Sequence, residues 1–148
     1  MKRIVCIMLC LVGLATVMCG CLDISEKPPA DSLNYSIYVN REITLVLNCV
    51  ETHMGNATLL TESNTQSEVD RVQESLNSIS EAILSVQLLK APDGYNTEQK
   101  TTIERMQACY NALTAYYNHL CDSNITNYED DIVELEMQYS SLKAMFHN

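Results

Sequence analysis

Tryptophan is absent from the 148-residue chain, phenylalanine occurs once, and glycine and proline number only four and three. So few turn-formers disfavour an all-β chain of many tight turns and a low-complexity linker alike. Positive charge is scarce too, with nine Lys and Arg against 19 Asp and Glu for a formal net charge of −10. Nucleic-acid affinity comes chiefly from neutralised phosphates. The only adjacent basic pair, Lys2 and Arg3, lies at the extreme N-terminus, so the composition argues against a nucleic-acid partner.

The familiar signatures of catalysis and cofactor binding are also missing. There is no Gly-x-Ser-x-Gly elbow, no Walker loop, no Gly-x-Gly-x-x-Gly fingerprint and no EF-hand spacing of acidic residues. The three histidines, His53, His119 and His147, form no His-x-x-x-His pair and no Glu-x-x-His pattern of the di-iron bundles. His119 stands near Cys121, and one His with one Cys is at most half a zinc site. No metal, cofactor or catalytic residue is therefore assigned, and the expectation is a protein that is not an enzyme.

What the chain does have begins at its N-terminus. Lys2 and Arg3 precede an uncharged apolar stretch from Ile4 to Leu22, in the form of a secretory leader. The basic residues stay on the cytoplasmic side while the apolar run enters the membrane. The segment Met18-Cys19-Gly20-Cys21 resembles the end of a prokaryotic (bacterial or archaeal) membrane lipoprotein leader. In that family a small residue precedes a Cys that is lipidated and becomes the new N-terminus. The resemblance implies Gly20 as the small residue, Cys21 as the lipidated one, and a lipid anchor on the extracytoplasmic face of the cell membrane. Met18 stands where the family usually has Leu. An uncleaved transmembrane anchor is the alternative, since about 20 apolar residues can span a bilayer. Residues 1–20 are read as the signal peptide. Residues 21–31, which include Pro28 and Pro29, are read as a short extended tether.

Four amphipathic segments follow. Val39, Ile43, Val46, Val50, His53, Ala57 and Leu60 alternate spacings of four and three, the period of one helix face. Val69, Val72, Leu76, Ile79, Ile83 and Val86 repeat it, as do Ile103, Met106, Tyr110, Leu113, Tyr117 and Leu120. Tyr128, Ile132, Leu135, Tyr139, Leu142 and Phe146 make the clearest stripe. Helices are expected over about 32–61, 67–90, 97–121 and 127–146 within a 32–148 domain. Start signals are Asp31 or Ser32, Ser67, Asn96 with Gln99, and Thr126 with Glu129. Gly55-Asn56 could end the first helix early. A stripe one face wide cannot bury itself alone. The expected fold is all-α, an antiparallel up-down-up-down four-helix bundle after the N-terminal signal or anchor segment.

Within that bundle His53 reads as a satisfied core histidine, and the acidic run Glu129, Asp130, Asp131, Glu134 and Glu136 reads as a solvated, dipole-compensating face. Tyr110, Tyr117, Tyr128 and Tyr139 lie on stripes and Tyr116 beside one, either as wet stripe edges or as a cleft for a small ligand. Cys109 and Cys121, twelve residues apart on one helix, are beyond disulfide reach of each other. If an intrachain bridge forms it is Cys49 to Cys109, which leaves Cys121 free or pairing between chains. Asn34, Asn56 and Asn124 begin Asn-x-Ser/Thr sequons and are glycan acceptors in a glycosylating host. The functional expectation is a membrane-anchored binding or scaffolding domain that engages another envelope protein or a second copy. A ligand-sensing or solute-binding module of the cell surface is the alternative.

Overall fold

The computed structural model describes residues 32–57, 59–61, 63–122 and 127–146. The leader with Cys21, the tether, Asp31, Asn124, Thr126 and His147 lie outside the described residues. Among the described residues the chain is all-helical and has no strand. Helix α1 runs Ser32–Ala57, α2 Thr65–Leu88, α3 Asn96–Leu120 and α4 Glu129–Lys143. Each helix packs on the next, and α4 closes on α1. Across the bundle α1 also touches α3, whereas α2 and α4 do not meet among the described residues.

The helix starts differ from the local signals, for identifiable reasons. α2 begins two residues before Ser67, because Asn64 organises the preceding loop. Its Oδ1 accepts from the Thr61 N–H at 2.7 Å and its Nδ2 donates to the Leu59 carbonyl at 3.1 Å. Gln99 does not fold back on its own helix start but crosses to α2, donating to the carbonyls of Val86 at 2.7 Å and Leu89 at 2.9 Å. It thereby satisfies carbonyls that the end of α2 leaves without helical partners. At α4 the Glu129 N–H is taken by Asn127 Oδ1 at 3.0 Å. The α2–α3 turn needs Gly94, whose φ of +90° is a left-handed conformation that a side chain would strain. α1 continues through Gly55 and Asn56 and ends at Ala57, short of the expected 61.

The core draws on all four helices, with Ile43, Val46 and Val50 of α1, Val72, Ile79 and Val86 of α2, Met106 and Leu113 of α3, and Leu135 and Leu142 of α4 fully enclosed. In α3 the deepest face is turned by about one residue from the expected stripe. Thr102, Cys109 and Tyr116 are buried, while Ile103, Tyr110 and Tyr117 are only half-buried. A helix touched on three sides buries a wide sector, and the bulky tyrosines at 110 and 117 sit at its half-buried edge, with Tyr117 sharing a hydrogen bond with Cys121. Phe146, expected on the α4 stripe, falls beyond the end of that helix and is exposed.

Two fully enclosed leucines on different helices provide the check on this core. Leu113→Ala and Leu135→Ala should each lower unfolding free energy by about 2–5 kcal/mol in urea titrations, as buried Leu truncations do. Glu134→Ala, at an exposed position, should change it by less than about 0.5 kcal/mol. Comparable small effects at all three sites would refute the packing described.

Candidate functional site

Polar chemistry concentrates where α1 and α3 end and α2 and α4 begin. Glu68, in the first turn of α2, is completely buried. His53, four residues before the end of α1, is 1% exposed and places Nδ1 2.6 Å from Glu68 Oε1. A carboxylate oxygen only accepts, so with Glu68 ionised the imidazole proton resides on Nδ1. His53 Nε2 lies 2.8 Å from Ser75 Oγ, and in the neutral ring it accepts the hydroxyl proton. The second Glu68 oxygen receives Asn56 Nδ2 at 3.1 Å and the Arg71 guanidinium at 2.8 Å. Arg71 reaches this buried oxygen while half its side chain stays in water.

The second hairpin repeats the device. Asp131, in the first turn of α4, is buried and holds His119 Nδ1 at 2.8 and 2.9 Å through its two oxygens. His119 lies in the last turn of α3. In both hairpins the anion sits at the positive end of one helix dipole and the imidazole near the negative end of the preceding one. Asp131 is thus a buried clasp residue and not part of a solvated face. Tyr116 lies between the clasps. Its ring meets that of Tyr128 edge to face at 5.8 Å, and its hydroxyl is buried with no hydrogen-bond partner among the described residues. Burial raises the Tyr116 phenol above its ordinary range, and the nearby charges of Glu68 and Asp131 push it further.

The sequence-predicted site residues fall partly within this end. Cys49 is half-buried on α1 and shares a hydrogen bond with Ser75; burial raises its thiol, and that bond partly offsets the rise. Cys109 is buried on α3, its thiol pushed up by burial to about 12, and Cys121 is exposed. All three thiols are free, so Cys49 and Cys109 are not joined in this structure. Asn34 is exposed on α1, whereas the Asn56 amide nitrogen that a glycan would take is the one donated to Glu68. Cys21 and Asn124 lie outside the described residues. Glu68, Ser75 and Arg71 were not singled out in the sequence, although one signal was available. Glu68 and Asp131 each precede a core residue, Val72 and Leu135, by four, so the core period lands on a carboxylate in the first turn of each helix.

Chemically, Ser75, His53 and Glu68 form a hydroxyl–imidazole–carboxylate relay, the order of partners that activates a nucleophile. Ser75 belongs to the interior of α2, where the surrounding backbone N–H groups are spent on the helix and cannot steady a developing oxyanion. The three side chains form one connected hydrogen-bond network with Asn56 and Arg71. Among the described residues no group of three or more His, Cys, Asp or Glu side chains is arranged to hold a metal ion.

Charge is strongly segregated along the bundle. Contacts of Gln99 with Val86 and Leu89, of Tyr35 with Tyr95, and of Arg105 with the Ser141 carbonyl bring the starts of α1 and α3 together with the ends of α2 and α4. That half, residues 32–45, 79–107 and 141–146, carries five basic and five acidic side chains. The clasp half has Arg71 alone against ten described carboxylates. Five of those are Glu129, Asp130, Asp131, Glu134 and Glu136, and the others are Glu51, Glu68, Asp70, Glu74 and Asp122. A half-open groove of about 420 Å³ lies between α1 and α2, lined among others by Arg41, Glu42, Leu45 and Glu81. Comparison of the chain with models of protein families, with curated proteins and with solved structures finds no match.

Two measurements test this end. His53→Ala leaves Glu68 short of its closest hydrogen-bond partner and should cost about 1–3 kcal/mol of stability, as leaving a buried polar group unsatisfied does. Tyr116→Phe removes an unpartnered buried hydroxyl, whose burial costs about 1–3 kcal/mol, so it should be neutral or stabilising. A clear loss in Tyr116→Phe would show that the hydroxyl is bonded.

A second test follows from the raised acids. Cys109 ionises at its ordinary 9.0 when unfolded but at about 12 when folded, and burial, aided by Glu98, moves Tyr35 from 10.0 to about 12. Above pH 9 the unfolded chain therefore binds fewer protons than the folded one, and stability falls from about pH 9 to 12. Urea midpoints at pH 8 and pH 10.5 should show that fall, and Cys109→Ala should flatten its onset. A constant midpoint would refute it.

Proposed function

We propose that the chain is a lipid-anchored protein of the extracytoplasmic face of the cell membrane. Its helices form an antiparallel up-down-up-down bundle that binds or scaffolds a partner and does not catalyse a reaction. The alternating direction is supported by the two sets of end contacts: His53 with Glu68 and His119 with Asp131 at one end, Gln99 with Val86 at the other. The anchor is supported by the basic pair, the apolar run and Gly20-Cys21. No described helix is long and apolar enough to cross a membrane, so attachment rests on the N-terminal segment.

The observation that carries the binding role is the segregated charge. The ten described carboxylates that face one arginine in half of a small bundle repel one another, and a partner with a basic surface relieves that repulsion. Beside them α4 exposes Val133 at 60% and Met137 at 55%, one turn apart, which supply an apolar element to the same surface. The partner of this reading is another envelope protein; a second copy, equally acidic, is disfavoured at this face by like charge. A ligand-sensing role is the second reading, and the unpartnered Tyr116 hydroxyl between Glu68 and Asp131 is the observation that favours it.

Mass spectrometry of the native membrane fraction tests the whole reading. The mature chain should begin at a diacylated Cys21, because a single acyl chain holds a protein only marginally. Cys21→Ser should abolish lipid labelling and leave the precursor uncleaved. Cross-links to a basic envelope protein should map to the clasp half and weaken at high salt. An unlipidated N-terminus at another position would overturn the anchor. Cross-links confined to the charge-balanced half would overturn the acidic binding face.

A further inference from the structure

The two ends of the bundle are chemically unlike, and the chain enters at only one of them. α1 starts at Ser32, in the charge-balanced half, and ten residues separate Ser32 from Cys21. At roughly 3.3–3.6 Å per residue that segment reaches at most about 36 Å, close to the length of a 25-residue helix. On the anchor reading above, the tether thus holds the start of α1 within about one bundle length of the lipid.

This same end exposes large apolar side chains. Leu33 is 69% and Ile37 60% exposed one turn apart on α1, Leu84 and Leu88 are 42% and 59% exposed one turn apart on α2, and Phe146 after α4 is 37% exposed. Lys90, Lys100 and Lys143 are exposed in the same half. Apolar side chains interleaved with lysines are the composition of a surface that sits in the headgroup region of a bilayer. The clasp half, nearly all acidic, is repelled by anionic headgroups, an effect felt within about a Debye length of 8–10 Å.

We infer that the charge-balanced end of the bundle docks on the anionic bilayer that carries the anchor, through Leu33, Ile37, Leu84, Leu88 and Phe146. The occupant of this surface is lipid. The tether confines the end to the membrane, the exposed apolar groups enter the interface, and like-charge repulsion turns the acidic half away. The bundle then stands upright with its clasp end outward. This rests on the lipid-anchor reading and adds the orientation and the contacting side chains.

The absence of tryptophan makes the test free of background. The full chain, lipidated in a processing host, is reconstituted in vesicles of phosphatidylcholine and phosphatidylglycerol at about 7:3 with brominated acyl chains. Four variants carry one tryptophan each: Ile37→Trp and Leu88→Trp in the docked end, and Leu59→Trp and Val133→Trp in the clasp half. All four positions are exposed, so folding is retained and is checked by helical circular dichroism. The first pair should be blue-shifted and quenched at least threefold more than the second.

Vesicle flotation is measured on the same samples. A chain that floats while all four tryptophans are equally quenched or unquenched overturns the docked end and leaves the anchor standing. A blue shift of Leu88→Trp that follows protein concentration instead of bromolipid assigns the surface to a second copy and also overturns it. A chain that fails to float overturns the anchor, and the docked end with it.

Discussion

A carboxylate with no exposure constrains everything around it, and Glu68 is such a group. An ion of that size taken out of water costs several kcal/mol unless its neighbours replace the lost hydration. Here the replacements come from two sides. Arg71 arrives from the next turn of the same helix, while His53 and Asn56, three residues apart, arrive from the end of α1. Because both α1 residues must meet one carboxylate, α1 can neither slide by a turn nor rotate by a residue against α2 without leaving a buried charge short of partners. Apolar stripes alone tolerate such shifts, for one valine fits much like another. The polar clasp selects a register, and the stripes supply the burial.

The second hairpin uses the same interaction less tightly. The His119 side chain is 49% exposed against 1% for His53, so solvent screens its pair with Asp131 and the energetic stake is smaller. Both clasps place a carboxylate in a helix's first turn and a histidine near the end of the helix before, which lets the dipoles favour the arrangement. Tyr116 separates them, filling space with its ring while its hydroxyl remains unbonded. The ring is fully enclosed, α1 and α3 touch across the bundle, and among the described residues α2 and α4 do not meet.

Much of this fold was legible from periodicity, because a helix that must bury one face writes that face into its sequence at spacings of three and four. The four segments and their turns follow from it, and so does the burial of His53. The face of α3 did not, since Tyr110 and Tyr117 fit the period as well as Cys109 and Tyr116 do. Only neighbouring helices decide which tyrosine is enclosed. Local start signals also misled. Gln99 is spaced to box with Asn96, yet carbonyls of α2 offer it better partners than its own helix does. The clasp carboxylates were hidden for another reason. An acidic residue in a first turn is ordinarily a solvated dipole partner, and sequence cannot show that a histidine from the preceding helix will bury it.

The distribution of charge then separates what folding requires from what it does not. Two carboxylates are needed for the clasps, and neutral Asn or Ser could serve the other helix starts, as Asn127 does for the first N–H of α4. The remaining acidic residues of that half lie outside both clasps, and their like charges share a surface only a few helix diameters wide. In the other half, by contrast, Arg41 bonds the buried Glu42 and Arg105 bonds the Ser141 carbonyl, so basic groups there take part in the packing. One half has equal numbers of basic and acidic side chains, with exposed apolar side chains among them. The other holds ten described carboxylates against one arginine, so its charge is uneven in a way the core does not require. The bundle core is the rigid spacer between two ends of different chemistry.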